Sequence, residues 1–135
     1  DLHSLGEKSI VVDCDVIQAD GGTRTASITG GFVALSLAIK KYMNSNKSIQ
    51  NPIKDYVAAI SCGIVKNEVL VDLDYSEDSV AEVDANFVIT QKSGFSEVQA
   101  TGEENTFNKN ELLEMMEKVE LVSEKIFKIQ KDAVE

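Results

Sequence analysis

Two segments of the chain repeat apolar residues every three or four positions, the spacing of one face of an α-helix. The first begins at Thr25 and fades at Asn46, with an apolar face of Ile28, Phe32, Leu35, Ile39 and Met43. The second follows Asn108, where Glu111 three residues later predicts a capping box. Its predicted apolar face consists of Leu112, Met116, Val119, Val122, Ile126, Ile129 and Ala133.

Shorter segments with β-branched or alternating apolar residues predict five strands, at residues 10–17, 56–65, 69–75, 83–90 and 95–101. Asp20-Gly21-Gly22 ends the first strand, and Lys66-Asn67 and Ser93-Gly94 predict hairpin turns. The order β-α-β-β-β-β-α indicates an α+β fold with layered β-α-β packing.

The length of 135 residues fits one domain or part of one. No apolar stretch approaches the roughly 18 residues that cross a bilayer, so we expect a soluble, cytoplasmic protein without a membrane partner. The start at Asp1 lacks a leader pattern and suggests a processed or truncated end. Cys14 and Cys62 lack C-x-x-C spacing, and we expect both to be buried thiols.

The formal net charge of −10 argues by itself against nucleic-acid binding, which requires cations to neutralise phosphates. Charge is unevenly distributed, however. Seven acidic residues and no basic residue lie between Asn67 and Asp84, and Arg24 is the single arginine of the chain. That arginine lies within the glycine-rich turn.

The glycine-rich turn Asp20-Gly21-Gly22-Thr23-Arg24 lies between a predicted strand and a predicted helix. A helix N-terminus attracts anions, glycines let the backbone approach a ligand, and arginine matches two phosphate oxygens. The segment therefore suits a small-anion site, although it is not a Walker loop. The alternative is a tight turn in which Thr23 or Thr25 caps the helix.

The acidic segment contains Asp72, Asp74, Glu77, Asp78, Glu82 and Asp84. Carboxylates gathered near a turn could hold a hard cation such as Mg²⁺, which takes one or two protein carboxylates plus substrate phosphates. The alternative is a solvated acidic edge that deters strand pairing.

Two stretches resemble signatures of the ribonuclease PH family. Residues 13–30, DCDVIQADGGTRTASITG, resemble its central signature, and residues 72–86, DLDYSEDSVAEVDAN, resemble its second. Residues 95–107 and the final helix are similar in order and spacing. Gly31 and Ala85 replace an expected alanine and methionine. The resemblance covers essentially residues 1–135, which would be the C-terminal part of a single family domain, without its N-terminal half.

The resemblance implies a phosphate-dependent 3′→5′ exoribonuclease. In that reaction inorganic phosphate, the co-substrate, attacks the last phosphodiester of an RNA and releases a nucleoside diphosphate, notably at the 3′ ends of tRNA precursors. Implied partners are RNA, the N-terminal half with another phosphate-binding arginine, and further subunits in a ring of dimers assembled to a hexamer.

The resemblance also assigns roles to residues. Gly22, Thr23 and Arg24 would hold the attacking phosphate. Asp78 and Asp84 would hold a divalent cation, expected to be Mg²⁺, and would be catalytic together with Arg24, one aspartate assisting as acid or base. Asp72 and Asp74 would be structural.

Two other functional classes stay open. The chain could be a non-catalytic RNA-binding or scaffolding subunit of a ring-shaped RNA degradation complex, although its Arg24, Asp78 and Asp84 argue against that reading. It could also be a free-standing anion-binding module, which its length alone permits.

Overall fold

A four-stranded antiparallel sheet with helices on both faces organises the computed structural model, which describes residues 1–103 and 105–135. The strands are β1 (Val57–Val65), β2 (Glu68–Val71), β3 (Val83–Thr90) and β4 (Gly94–Gly102). The helices are α1 (Leu2–Leu5), α2 (Thr23–Ser45), α3 (Tyr75–Asp78) and α4 (Lys109–Val134). The sheet order is β2-β1-β3-β4, and the predicted α+β class is confirmed.

The main core lies between the sheet and α4. Alternate residues of β1 and β3 point to this helix, and the fully buried Met115 and Val119 of α4 meet them. The core set is Ile60, Cys62, Ile64, Val69, Val83, Ala85 and Phe87. The opposite face carries α2 and the loop around Leu73. Because β1 is covered on both faces, its eight residues from Ala58 to Val65 are all buried.

The hairpin between β1 and β2 has the predicted turn. Lys66 and Asn67 have φ values of 53° and 62°, which are the two left-handed conformations of a type I′ turn. The predicted strand 69–75 is shorter than expected and ends at Val71. Asp72 is also left-handed, with φ of 64°, so the predicted strand does not continue into the acidic segment.

Helix α4 begins at the predicted capping box, where the Asn108 side chain accepts hydrogen bonds from the first turn. Its predicted apolar face was only partly right. Val119 is buried as expected, whereas Ile129 is 60% exposed. The fully buried positions include two polar residues, Ser123 and Gln130, besides Met115, Val119 and Phe127. The helix is therefore rotated relative to the face that hydrophobicity alone indicates.

Backbone groups on one side of β1 are bonded by side chains from both long helices. Thr29 Oγ1 accepts from Ala59 N at 2.9 Å and donates to Ala59 O at 3.1 Å. Gln130 Nε2 donates to Val57 O at 2.9 Å and to Thr29 O at 3.1 Å. These bonds fix the position of α2 along the strand. They also explain why Gln130 of α4 is buried.

The predicted first strand, at residues 10–17, is the part of the order that the sheet does not contain. The segment is irregular and exposed, with Val11 87% and Ile17 99% exposed. A strand requires a neighbouring strand for its backbone hydrogen bonds, and no strand of the described chain pairs with residues 10–17. Cys14 lies here and is exposed, contrary to expectation, whereas Cys62 is buried.

Within the part of the chain that the structure describes, no helix combines the length and the hydropathy of a membrane span.

Candidate functional site

The glycine turn before α2 packs directly on backbone and on a strand side chain. A β-carbon on Gly21 would overlap the Leu73 carbonyl oxygen, and one on Gly22 would lie 2.8 Å from Ser61 Oγ. Gly22 also has φ of 69°, which favours glycine. The turn can approach β1 because neither position carries a side chain.

Asp20 connects this turn to the acidic segment. Its Oδ1 accepts hydrogen bonds from Gly21 N at 2.8 Å and from Tyr75 N at 2.6 Å. Tyr75 is the first residue of α3, and Asp78 is the last. The carboxylate of Asp20 therefore ties the glycine turn to the short helix that carries one of the predicted metal ligands.

The first turn of α2 has no side-chain cap within the described residues. Thr23 Oγ1 donates to Asp20 O at 2.8 Å, and Thr25 Oγ1 donates to Gly22 O at 2.7 Å. The alternative in which Thr23 or Thr25 caps the helix is wrong, because both hydroxyls donate to carbonyl groups of the turn. The first backbone N–H groups of α2, at the positive end of the helix dipole, are thus suited to an anion.

Arg24 extends from this turn to the sheet and pairs with Glu97 of β4. Arg24 Nη1 lies 2.8 Å from Glu97 Oε1, and Nη2 donates to Oε2 at 3.1 Å. The hydrogen bond and the charge of Glu97 raise the pKa of Arg24 above its usual value. Both side chains are about half exposed, so the pair lies at the mouth of the site and not in the core.

Asp84 lies in β3, opposite Gly63 of β1 and Thr101 of β4. Burial raises the pKa of the Asp84 carboxyl group, and the charges of Asp78 and Glu103 raise it further. The fold therefore brings the two predicted metal ligands, Asp78 and Asp84, close enough for their carboxylates to repel each other.

Two mutually repelling carboxylates fit a divalent cation, which would offset their charge. Mg²⁺ commonly binds one or two protein carboxylates and completes its coordination shell with water and phosphate oxygens. No cluster of three or more His, Cys, Asp or Glu residues in the described part of the chain could hold a metal. Asp78 and Asp84 would therefore suit a cation shared with a bound phosphate rather than one enclosed by protein.

The glycine turn and Asp84 lie on the same face of the sheet. Gly22 packs on Ser61, and Asp84 is opposite Gly63, two residues further along β1. Same-face neighbours on a strand lie roughly 7 Å apart. The helix N-terminus and Asp84 are consequently adjacent, so that one substrate could contact both.

Other acids of the acidic segment have structural roles. Asp74 caps α3 and forms a capping box with Glu77. Hydrogen bonds from the Ser76 hydroxyl and from the Glu77 N–H lower the pKa of Asp74. Glu82 accepts from Asn67 N at 3.1 Å, which ties the β1–β2 turn to the loop before β3. Asp74 thus has the structural role predicted for it, and its exposure also agrees with the solvated-edge alternative.

Three residues of the site were not singled out from the sequence: Asp20, Ser61 and Glu97. Ser61 is 3% exposed, and its hydroxyl has no hydrogen-bond partner among the described residues. A signal for Glu97 does exist in the sequence. Phe95 and Val98 are three residues apart in a segment that should alternate, which indicates an extra residue between them.

Comparison with known proteins agrees with the resemblance. Residues 55–118 match the model of the 3′ exoribonuclease family, domain 2. The chain is 51% identical over 135 residues to ribonuclease PH of Bacillus cereus (strain AH820) and to that of Bacillus anthracis (strain A0248). Each alignment covers 99% of this chain and 55% of the relative.

Solved structures share the fold at lower identity. Rice (Oryza sativa) Rrp46 superposes with a TM-score of 0.71 and 21% identity, over 87% of this chain and 50% of that one. The Archaeoglobus fulgidus exosome with RNA bound to the active site gives 0.63 and 17%, over 83% and 44%. The chain is therefore a relative of ribonuclease PH, similar to its C-terminal portion, and its residues 55–118 match domain 2 of the 3′ exoribonuclease family.

Proposed function

We propose that this chain supplies the phosphate-binding and metal-binding part of a phosphate-dependent 3′→5′ exoribonuclease. The substrate class is the 3′ end of RNA, tRNA precursors in particular, and the products are nucleoside diphosphates. The supporting observation is the uncapped start of α2 beside Arg24, on the sheet face that carries Asp84. The chain spans 55% of the length of the ribonuclease PH proteins that it matches. The remaining contacts to RNA are assigned to the part that it does not span.

Inorganic phosphate is the nucleophile in this proposal, so the protein mainly has to position it. The backbone N–H groups of Gly22 and Thr23 and the guanidinium of Arg24 would bind its oxygens at the start of α2. One phosphate oxygen attacks the terminal phosphorus of the RNA, and the bond from that phosphorus to the 3′ oxygen of the preceding nucleotide breaks. The released 3′ oxygen takes up one proton, and a nucleoside diphosphate leaves.

Asp78 and Asp84 would hold the divalent cation, expected to be Mg²⁺. When bound, this cation supplies charge stabilisation to phosphoryl oxygens and to the leaving oxygen. Without the cation, burial and the charges of Asp78 and Glu103 raise the pKa of Asp84, and a bound cation would offset this by favouring the ionised carboxylate. Asp20 and Asp74 would keep α3, and with it Asp78, in place against the glycine turn.

The exposed apolar segment supports the partners in this proposal. Val11 and Ile17 are 87% and 99% exposed, which suits a surface that the remainder of a ribonuclease PH chain or another subunit covers. We place the chain in a ring of dimers assembled to a hexamer, acting in the cytoplasm. A basic surface on the remainder would also offset the net charge of −10.

The test combines this chain with the N-terminal part of a ribonuclease PH and supplies an RNA with an extended tRNA 3′ end. We expect shortening and nucleoside diphosphate release only when phosphate and Mg²⁺ are present. Arg24→Ala and Asp84→Asn should each lower the rate by about 100-fold or more, because each removes charge stabilisation from the reacting phosphates.

Lys41→Ala is the matched control for Arg24→Ala, since it removes one cation from the exposed face of the same helix, far from the glycine turn. It should leave the rate unchanged. Release of nucleoside monophosphates without phosphate would overturn the proposal, because it would indicate hydrolysis. An unchanged rate in Arg24→Ala would remove the assignment of that residue.

A further inference from the structure

Strand β4 contains a β-bulge immediately before Glu97. Ile89 of β3 is opposite Phe95, and the next residue, Val88, is opposite Glu97, so Ser96 is the extra residue. Bulges bend a strand and redirect side chains, and they are frequent beside active sites.

The bulge determines the face on which Glu97 lies. Phe95 packs in the core between the sheet and α4. With regular pairing from Phe95 onwards, Ser96 would face α2 and Glu97 would lie opposite Phe87, pointing into that core. With the bulge, Glu97 shares the face of Val88 and reaches Arg24. A carboxylate that regular pairing would bury is thus directed to the single arginine of the chain.

The contact uses one edge of the guanidinium. Glu97 engages the two terminal nitrogens, Nη1 and Nη2, at 2.8 and 3.1 Å. Arg24 Nε has no partner among the described residues. A guanidinium presents five N–H donors, so the edge formed by Nε and the second N–H of one terminal nitrogen can bind another pair of oxygens.

We propose that Glu97 is a positioning residue for phosphate, which holds the terminal edge of Arg24 and leaves the Nε edge to the ligand. This inference rests on the proposed phosphate-binding role of Arg24. A free arginine side chain samples many rotamers and loses that freedom when it binds. A guanidinium already fixed by a strand residue loses less, so it binds phosphate more tightly.

In the competing interpretation, Glu97 occupies the part of Arg24 that binds phosphate, and phosphate displaces it. The two readings predict opposite effects of neutralising Glu97. Removal of a holder weakens phosphate binding, whereas removal of a competitor strengthens it. The position of Glu97 within a paired strand favours the holder, because the strand fixes the backbone from which this side chain reaches Arg24. Its Oε1 is also shielded from solvent and faces Arg24 Nη1.

Nitrogen-15 NMR of the 135-residue chain tests this directly. Because Arg24 is the only arginine, its Nε–H signal needs no assignment. Inorganic phosphate should shift this signal together with the Gly22 and Thr23 amides. In Glu97→Gln the dissociation constant should rise about three- to tenfold, as expected for a partly exposed charged contact. An unchanged or lower dissociation constant in Glu97→Gln would overturn the proposal.

Glu117→Gln is the charge-matched control, because it removes one negative charge from the exposed surface of α4. It should bind phosphate like the unsubstituted chain. Glu97→Asp keeps the charge but draws it back by one methylene, and should bind with intermediate affinity.

Relaxation of the Arg24 Nε–H signal without phosphate separates this proposal from the proposed function. The heteronuclear NOE should fall in Glu97→Gln and not in Glu117→Gln. Equal values in all three proteins would overturn the holding role of Glu97. If phosphate shifts none of the signals in the unsubstituted chain, the phosphate site of the proposed function fails, while the NOE still decides whether Glu97 holds Arg24.

Discussion

Gly21 packs against the carbonyl oxygen of Leu73 so closely that no β-carbon fits between them. Leu73 is 1% exposed and belongs to the buried cluster below the acidic segment. The backbone at Gly21 therefore rests on a part of the fold that has little room to move. This contact sets the distance between the glycine turn and the loop that leads to Asp78.

Replacing Gly21 with alanine should destabilise the chain by about 1–3 kcal/mol, because the new methyl group overpacks a buried backbone contact. Urea unfolding followed by circular dichroism measures the change. Gly30→Ala is the matched control, since a β-carbon there meets nothing within 4 Å in the middle of α2. That control should stabilise the chain by about 0.5–1 kcal/mol. Equal effects of the two substitutions would contradict the packing argument.

Asp84 should make the chain less stable as the pH rises through the acidic range. Its folded-state pKa is raised, so the folded chain binds more protons than the unfolded chain between the ordinary and the raised pKa. The free energy of unfolding contributed by this group therefore falls as the pH rises through that window. Asp84→Asn should abolish this fall and should be more stable than the unsubstituted chain at neutral pH, with chelator present.

Unfolding midpoints measured at several pH values in chelator test the Asp84 prediction. Asp13→Asn is the control, because Asp13 is an exposed carboxylate in the irregular segment before α2. That substitution should leave the pH profile of the unsubstituted chain intact. A lower stability of Asp84→Asn at neutral pH would show that the carboxylate is not under electrostatic strain.

Asn108 should contribute measurably to the stability of α4. Its side chain accepts from Asn110 N at 2.8 Å and from Glu111 N at 3.2 Å, and Glu111 accepts from Asn108 N at 2.6 Å. Asn108→Ala should cost about 1 kcal/mol in unfolding free energy. Asn110→Ala, inside the first turn, should change it by less than about 0.5 kcal/mol. Similar losses for both would contradict the role of the cap.

The two thiols should react at very different rates. Cys14 is exposed, whereas burial raises the pKa of the Cys62 thiol to about 12. Since the thiolate is the reactive form, a disulfide reagent at pH 8 should modify one thiol per folded chain and two in urea. Cys14→Ser should then show no fast reaction. Fast modification of two thiols in the folded chain would mean that the β1 core opens readily.

Local rules predicted the elements that depend on local chemistry. Lys66-Asn67 correctly predicted the hairpin turn, and Asn108 with Glu111 correctly predicted the start of α4. Each of these features depends on contacts among a few neighbouring residues. The alternation of β3 gave Val83–Thr90 correctly, because one of its faces packs on the core. The glycine turn was predicted as an anion site from its own residues, whereas the choice of Asp78 and Asp84 came from the resemblance. The structure places the glycine turn and Asp84 on one face of the sheet.

The remaining features depend on contacts between distant parts of the chain. Gln130 is buried because it bonds Val57 and Thr29, and no apolar pattern in α4 can indicate that. The apolar run at 10–17 has the composition of a strand, yet composition does not supply a pairing partner. Glu97 reaches Arg24, 73 positions away, only because β4 contains one extra residue.

The bonds from Thr29 and Gln130 to β1 have a consequence for how the sheet meets other chains. Strand β2 pairs with β1 only along Cys62–Val65, so the first half of β1 would otherwise be an open edge. Thr29, Gln130 and the Asp72 N–H occupy its backbone groups at Val57, Ala59 and Ser61. An exposed edge can recruit strands from other molecules and lead to aggregation. Here two helices close this part of the edge without a strand, so another strand cannot pair with the first half of β1.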